Sequence, residues 1–263
     1  MLRIRSFEMT LATQSQSVVS DEDRRKFIEE GFFVLENVIP PDMLQMLRDE
    51  SKNMLDKVHA EMDAAGTDNY KGQIRNNRYF IANRYRELNH LHEFLFSDLM
   101  ADICRATLGP EAYLFYEQWV IKGAEKGVHF SWHQDSGYVQ TRHKPYLTCW
   151  CTLDAVNEEN GTVYMLPYSR AGGRERVEHE RKGLDLVGYH GDDPGDPVIV
   201  PAGSIACFSS VCFHRSGANK SKNMRRVYLA QYSSEPIKRP DGTVSGVADP
   251  FLHNGKVIAE SRR

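Results

Sequence analysis

Residues 109–122 read GPEAYLFYEQWVIK, and the change of texture at this point decides the fold. Gly109-Pro110 is a break, and residues 112–121 are then rich in the aromatic and β-branched residues that fit a strand. Downstream, the segments 128–134, 146–153, 162–166, 197–200, 204–208, 210–215 and 225–233 repeat that texture between Gly, Pro, Asn and Asp breaks. Asn160-Gly161 is a strong turn signal among them. Upstream the pattern is helical. Ser20 followed by Asp21-Glu22-Asp23 predicts a capped helix that stops at Gly31, and Phe32–Leu35 predicts a short strand. Pro40-Pro41-Asp42 opens a long helix whose Leu44, Leu47, Leu55, Val58 and Met62 form one buried face. A further helix is expected over about 95–108. The fold class is therefore mainly β with flanking helices, a sandwich or barrel with helices outside it. The charged, Gly- and Asp-rich stretch 170–196 reads as an insertion or lid loop.

Composition bounds the function. The chain has 263 residues and 33 Lys and Arg against 36 Asp and Glu, so a polybasic footprint for nucleic acid is not expected. No apolar run is long enough to span a membrane. The five Cys lack zinc-type spacing and read as reduced, buried thiols of an intracellular, cytoplasmic protein. Residues 1–19 read as a disordered tail, although Arg3, Arg5 and the Ser and Thr around them leave an organellar transit peptide open. Residues 20–263 read as a single domain with its β core at about 112–233, monomeric or homodimeric.

Chemistry concentrates at Trp132-His133-Gln134-Asp135. On a strand, residues two apart share a face, so His133 and Asp135 can offer a nitrogen and an oxygen to one ion. A lone H-x-D is weak evidence, and His190-Gly191-Asp192, in turn sequence, is a second one that reads as a decoy. A distant His completes a set of two His and one carboxylate, the donor set of non-haem Fe(II) sites with open positions. His214 is the candidate, in Cys212-Phe213-His214-Arg215-Ser216 at the end of an apolar strand. Arg225 stands eleven residues further on, where a guanidinium can grip a carboxylate bidentately.

Taken together, these pieces resemble the phytanoyl-CoA dioxygenase family of Fe(II)/2-oxoglutarate oxygenases. W-H-Q-D at 132–135, T-C-W at 148–150, N-G-T-V-Y-M-L-P-Y-S at 160–169, H-R-S-G-A-N at 214–219 and R-R at 225–226 carry the resemblance, with G-F-F-V-L-E-N-V-I-P at 31–40 as its opening strand. The resemblance implies a double-stranded β-helix, a jelly-roll, cupin-like barrel. It implies His133, Asp135 and His214 as iron ligands and Arg225 with Ser216 as partners of the distal carboxylate of 2-oxoglutarate. Trp150 and Gln118 are further cosubstrate candidates. The cofactors implied are Fe(II), 2-oxoglutarate and O2, and the partner a small-molecule substrate. The reaction implied is hydroxylation, or a related oxidation, of an unactivated C–H with release of succinate and CO2. Halogenating relatives replace the carboxylate ligand with a small residue; Asp135 is retained here.

Other readings stand beside these. A cupin-like metalloenzyme without 2-oxoglutarate would not need Arg225 and Ser216, and a non-catalytic binding protein would not need the three ligands. Of Arg225 and Arg226, alternation lets only one face the site. Cys149 and Cys151 flank Trp150 and read as packing, and Lys122, at the end of a strand, could face the site but reads first as a solvated lysine. Tyr138, Arg75 and Arg78 are the substrate-side candidates, the two arginines lying in a stretch that otherwise reads as a loop and helix start.

Overall fold

The computed structural model describes residues 17–125, 128–183 and 185–258. Of the expected tail at 1–19, residues 1–16 lie outside the described residues, and Val19 is buried in the main core. Helix α1 (Asp21–Glu30) starts at Ser20, whose hydroxyl and the Asp23 carboxylate form a capping box, and ends at Gly31 in the left-handed region at φ 88°. A Cβ on Gly31 would collide with the Tyr168 ring, so both conformation and space demand glycine here. Strand β1 (Phe32–Leu35) follows. Helix α2 (Pro41–Ala65), opened by Pro41, buries Leu47, Met54, Leu55, Val58 and Met62 along one face.

The stretch read as loop and helix start instead forms β2 (Asn69–Tyr70), β3 (Gln73–Ile74) and β4 (Arg78–Ala82). Alternation explains β4: Tyr79 and Ile81 enter the helix-side core while Arg78 and Phe80 face the other way. The helix expected over 95–108 is two helices, α3 (Asn89–Leu95) and α4 (Asp98–Thr107). Ser97 breaks it, because its hydroxyl accepts the Met100 N–H and caps the second helix.

The β-rich half comprises β5 (Ala112–Lys122), β6 (Phe130–His133), β7 (Leu147–Thr152) and β8 (Val163–Leu166), then the short helix α5 (Tyr168–Ala171). It continues through β9 (Glu180–Lys182), β10 (Asp185–Val187), β11 (Asp196–Pro197), β12 (Ile205–Ser209), β13 (Phe213–Ser216) and β14 (Arg225–Ser233). Strands β15 (Asp249–His253) and β16 (Lys256–Val257) close the described chain. Among the described residues the large antiparallel sheet runs β1-β12-β7-β14-β5-β4-β3-β2, with β15 also on β5, and the small one runs β11-β8-β13-β6.

The expected β-helix barrel is corrected by this pairing. Among the described residues no sheet closes on itself; the fold is mixed α/β with several antiparallel sheets. Closure needs an unbroken hydrogen-bonded ladder from edge to edge. Here β6 and β11 end the small sheet without pairing to the large one. Side-chain packing takes the place of the missing ladder. Trp150, Ala206, Phe208 and Leu229 of the large sheet meet Val163 and Met165 of the small one. On the opposite face of the large sheet, Trp119, Cys149, Cys151, Cys207 and Tyr228 pack with Leu47, Met54, Phe94 and Ile103 of the helices. A cavity of about 800 Å³ faces the inner side of the large sheet.

Candidate active site

His133 and His214 enter this cavity from adjacent strands. They are register partners across β6 and β13, with ring centroids 4.2 Å apart. Asp135 does not share their strand geometry: β6 ends at His133, and Asp135 is the first residue of a 3₁₀ turn, Asp135–Tyr138. The turn brings its Oδ1 to 3.9 Å from His133 Nε2 and 3.5 Å from His214 Nε2. One donor atom from each of the three residues lies within 4.8 Å of the others, a spacing that a single metal ion could span.

Neighbouring groups fix which atoms converge. His133 Nδ1 lies 2.8 Å from the Ser131 carbonyl, and His214 Nδ1 lies 3.2 Å from the Cys212 carbonyl. A carbonyl only accepts, so both rings carry the proton on Nδ1 and present the Nε2 lone pair to the common point. On Asp135, Oδ2 accepts hydrogen bonds from Thr148 Oγ1 at 2.7 Å and Gln231 Nε2 at 3.0 Å, which leaves Oδ1 to the centre. Such outer partners orient ligands and tune their basicity. Burial, and then the neighbouring His214, push the His133 pKa down to about 3. Burial opposes the Asp135 charge, but the imidazoles, His214 foremost, and Thr148 hold its pKa at about 2. His133 therefore stands as a neutral imidazole and Asp135 as a carboxylate, the forms that metal binding requires.

Arg225 lines the same cavity. It is 1% exposed, and burial pushes its pKa down to about 10. Nη2 donates to the Gly161 carbonyl at 3.1 Å, while Nε and Nη1 have no partner. A buried guanidinium left half-satisfied is costly, and a carboxylate in the cavity would satisfy it. Trp150 lies 5.5 Å from its Cζ, and Ser216, Gln118, Arg78 and Tyr138 line the cavity with it. Arg226 takes the opposite face and is committed to Asp154 by bonds of 2.7 and 3.0 Å.

Two arginines of the β2–β4 region separate here. Arg78 faces the cavity with its Nε unpartnered, whereas Arg75 is turned away and held by Asp63 and Asp68. Tyr138 is half-exposed at the mouth, its ring edge-on to His133 at 5.7 Å. Of the decoy pair, neither His190 nor Asp192 lines the cavity. Lys122, expected to be solvated, is buried.

Sequence reading missed three polar residues. Thr148 and Gln231 are register partners on β7 and β14 that converge on Asp135. Gln231 is six residues after Arg225, so alternation already placed a polar side chain on the cavity face of an apolar strand. Gln134, between two of the three clustered residues, stitches the 170–196 stretch to the site. Its amide donates to the Glu175 and Val211 carbonyls and accepts the Val177 N–H, and its backbone N–H donates to His179 Nε2.

The donor set of two imidazole nitrogens and one carboxylate oxygen, with an open side on a cavity, fits ferrous iron. The unsatisfied Arg225 at the same cavity fits a dicarboxylate cosubstrate. Among the described residues no helix is long and apolar enough to cross a membrane.

Comparison with known proteins agrees with the site. The model of the phytanoyl-CoA dioxygenase family matches residues 27–227. Phytanoyl-CoA dioxygenase domain-containing protein 1 of Danio rerio is 24% identical over 259 residues, covering 80% of this chain and 89% of that protein. The peroxisomal phytanoyl-CoA dioxygenase of Mus musculus is 22% identical over 261 residues, covering 90% and 74%. The crystal structure of the α-ketoglutarate-dependent carbocyclase SnoK from nogalamycin biosynthesis superposes with a TM-score of 0.68 at 17% identity, covering 91% and 97%. The expectation of a cytoplasmic protein is overturned by these relatives, since the mouse enzyme and its rat, bovine and human counterparts are peroxisomal. The His/Asp/His cluster and this kinship support catalytic, Fe(II)/2-oxoglutarate-dependent oxidation in general. With its cluster, its half-satisfied arginine and a family match over most of its length, the chain belongs to the phytanoyl-CoA dioxygenase family.

Proposed function

We propose that the protein is an Fe(II)- and 2-oxoglutarate-dependent dioxygenase that hydroxylates, or otherwise oxidises, an unactivated C–H of a small organic molecule. The observation that carries this reading is the convergence of His133 Nε2, Asp135 Oδ1 and His214 Nε2 beside a buried arginine that lacks an anion. These three residues would hold the iron from one side and leave its other side to the cavity. When bound, iron and 2-oxoglutarate supply the oxidation of the C–H by O2, with succinate and CO2 released.

The chain's own residues do the rest. Arg225 grips the distal carboxylate of the cosubstrate through Nε and Nη1, with Ser216 beside it. Trp150, packed against the guanidinium, keeps water from that ion pair, and Gln118 lines the cosubstrate side. Tyr138 and Arg78 face the substrate. The 170–196 stretch, stitched down through Gln134, serves as a lid on a single oxygenase domain spanning 20–263.

Anaerobic addition of Fe(II) and then 2-oxoglutarate to metal-free protein tests the reading. A weak visible metal-to-ligand charge-transfer band that needs both additions, and weakens in Arg225→Ala, is expected. No band with metal bound would overturn it.

A further inference from the structure

Strand β5 is irregular near its start. Gln231 of β14 pairs with Tyr116, but the next residue, Tyr232, pairs with Leu114, so Phe115 has no partner on β14 and bulges from the ladder. A bulge shifts the alternation by one residue and re-aims a side chain. Leu114 and Trp119 stay in the helix-side core, whereas Phe115 and Tyr116 both face the cavity. Tyr116 stands opposite Gln231, whose amide holds Asp135, so this pair of rings lies beside the His/Asp/His cluster. Arg225 is at the other end of β14. Tyr146 adds a third ring, 4.9 Å from Phe115, and Val139 packs with them.

The segment 234–247 closes this end and lies beyond the family match. It turns back on itself as a small hairpin, with Lys238 bridged to Val244 and Ile237 buried against the Phe115 cluster. Gly246, at φ 75°, presses on the bulge: a Cβ there would lie 2.1 Å from the Phe115 carbonyl oxygen. The Val247 N–H donates to that same oxygen at 3.0 Å, so the bulged residue is also the one that docks the hairpin. From the hairpin Arg239 reaches the cavity mouth, its Nη1 pinned by the Val244 carbonyl at 2.6 Å. Asp241 bears on it from the hairpin turn without forming an ion pair.

Charge decides what the ring-lined end can hold. Aromatic walls suit a flat ring or a quaternary ammonium. Among the described residues the cavity is lined by five cations, Lys71, Arg78, Arg215, Arg225 and Arg239, and by one acid, Asp135, which belongs to the metal cluster. Ferrous iron and a dicarboxylate would cancel each other and leave that excess in place. An ammonium is therefore repelled and an anion drawn in. An aliphatic chain would find few partners of its own kind, since Val139 and Val247 are the aliphatic lining of this end.

We infer that this end of the cavity seats a planar aromatic acid as the substrate, its ring against Phe115, Tyr116 and Tyr146 and its acidic group at Arg239. The bulge makes Phe115 a specificity-determining residue, because without it the ring would point into the helix-side core. The inference rests on the reading of the cavity as an oxygenase site, but the subsite is built by the chain's own side chains and is tested without metal.

The probes are 3-phenylpropionate, 3-cyclohexylpropionate and 3-phenylpropionamide, titrated into metal-free protein at neutral pH and followed by saturation-transfer NMR. Wild type is expected to bind the aromatic acid about tenfold more tightly than the puckered ring and about tenfold more tightly than the uncharged amide. Phe115→Leu is expected to lose the preference for the flat ring and keep that for the acid. Arg239→Gln is expected to do the reverse, with circular dichroism showing both variants folded. No binding of 3-phenylpropionate, equal binding of the three probes, or preferences that survive in both variants would overturn the inference. Binding that is lost in Arg225→Ala and unmoved by the other two variants would place the probe at the cosubstrate arginine and overturn it as well. Selective binding by a protein that gives no charge-transfer band with Fe(II) and 2-oxoglutarate would instead overturn the proposed function and leave an aromatic-acid binding site.

Discussion

Thr148 and Gln231 face one another across the β7–β14 ladder and bond both to each other, at 3.0 Å, and to the same oxygen of Asp135. The carboxylate that joins the two imidazoles is thus aimed from the large sheet, while the imidazoles come from the small one. Replacing Gln231 with Leu keeps its bulk and removes one of the two donors. Metal affinity is expected to fall by about 10- to 100-fold with the fold intact. Metal content after dialysis against a graded chelator, with circular dichroism as control, measures it. Unchanged affinity would show that Thr148 alone orients the carboxylate.

Asp135→Ala removes the shared carboxylate itself. Succinate formation coupled to substrate oxidation is expected to fall below detection, and iron is expected to be lost on desalting. Wild-type turnover by the variant would sink the assignment of Asp135.

Arg225 and Arg226 offer an internal comparison, because neighbours in sequence have opposite environments. Arg225→Ala is expected to raise the apparent KM for 2-oxoglutarate about 100-fold, the loss of a charge-assisted pair of about 3 kcal/mol. Arg226→Ala is expected to leave that KM near wild type. It should cost about 1–3 kcal/mol of stability through the half-buried Asp154 pair. Steady-state kinetics and urea denaturation on both variants check the split, and reversed results would exchange the two roles.

Lys122 gives the ligand-free protein a pH-dependent stability of definite sign. Its pKa is about 5 in the fold and about 10.4 in the unfolded chain, so the unfolded state binds more protons between those values. The contribution is fully unfavourable below about pH 5 and is relieved as pH rises toward 10. Stability should climb from pH 6 to 8 by up to about 1.4 kcal/mol per pH unit from this group. Lys122→Met should lack that climb. Urea midpoints at pH 6, 7 and 8 for the metal-free proteins decide it; parallel curves would place the neutral form of Lys122 in doubt.

Much of this site was legible because it rests on residues whose identity is chemically demanding. His133, Asp135 and His214 were picked out by type and spacing and Arg225, over Arg226, by the family resemblance, and the structure brings all four to one cavity. The path to that placement was partly wrong: alternation along a strand was the argument for Asp135, yet a 3₁₀ turn delivers it. Strand β4 was hidden by its Arg and Asn content, although Tyr79 and Ile81 carried the alternation of a half-buried strand. One helix became two because a single serine, Ser97, offered a better cap than the helix offered a continuation. Barrel closure was not legible at all. It depends on whether edge strands of different sheets hydrogen-bond, and no local pattern in β6 or β11 encodes that.

The alternation of β7 has a chemical consequence as well as a packing one. Cys149 and Cys151 point to the helices, with Cys104 and Cys207 in the same core, while Trp150 between them points to the cavity. A layer of backbone therefore stands between an oxidising centre and four of the protein's thiols, the side chains such a centre would spoil soonest. The large sheet is a shield as much as a scaffold. What it leaves on the other side, the fifth thiol Cys212 with Trp150 and Tyr138, are the groups that would record a misfired turnover.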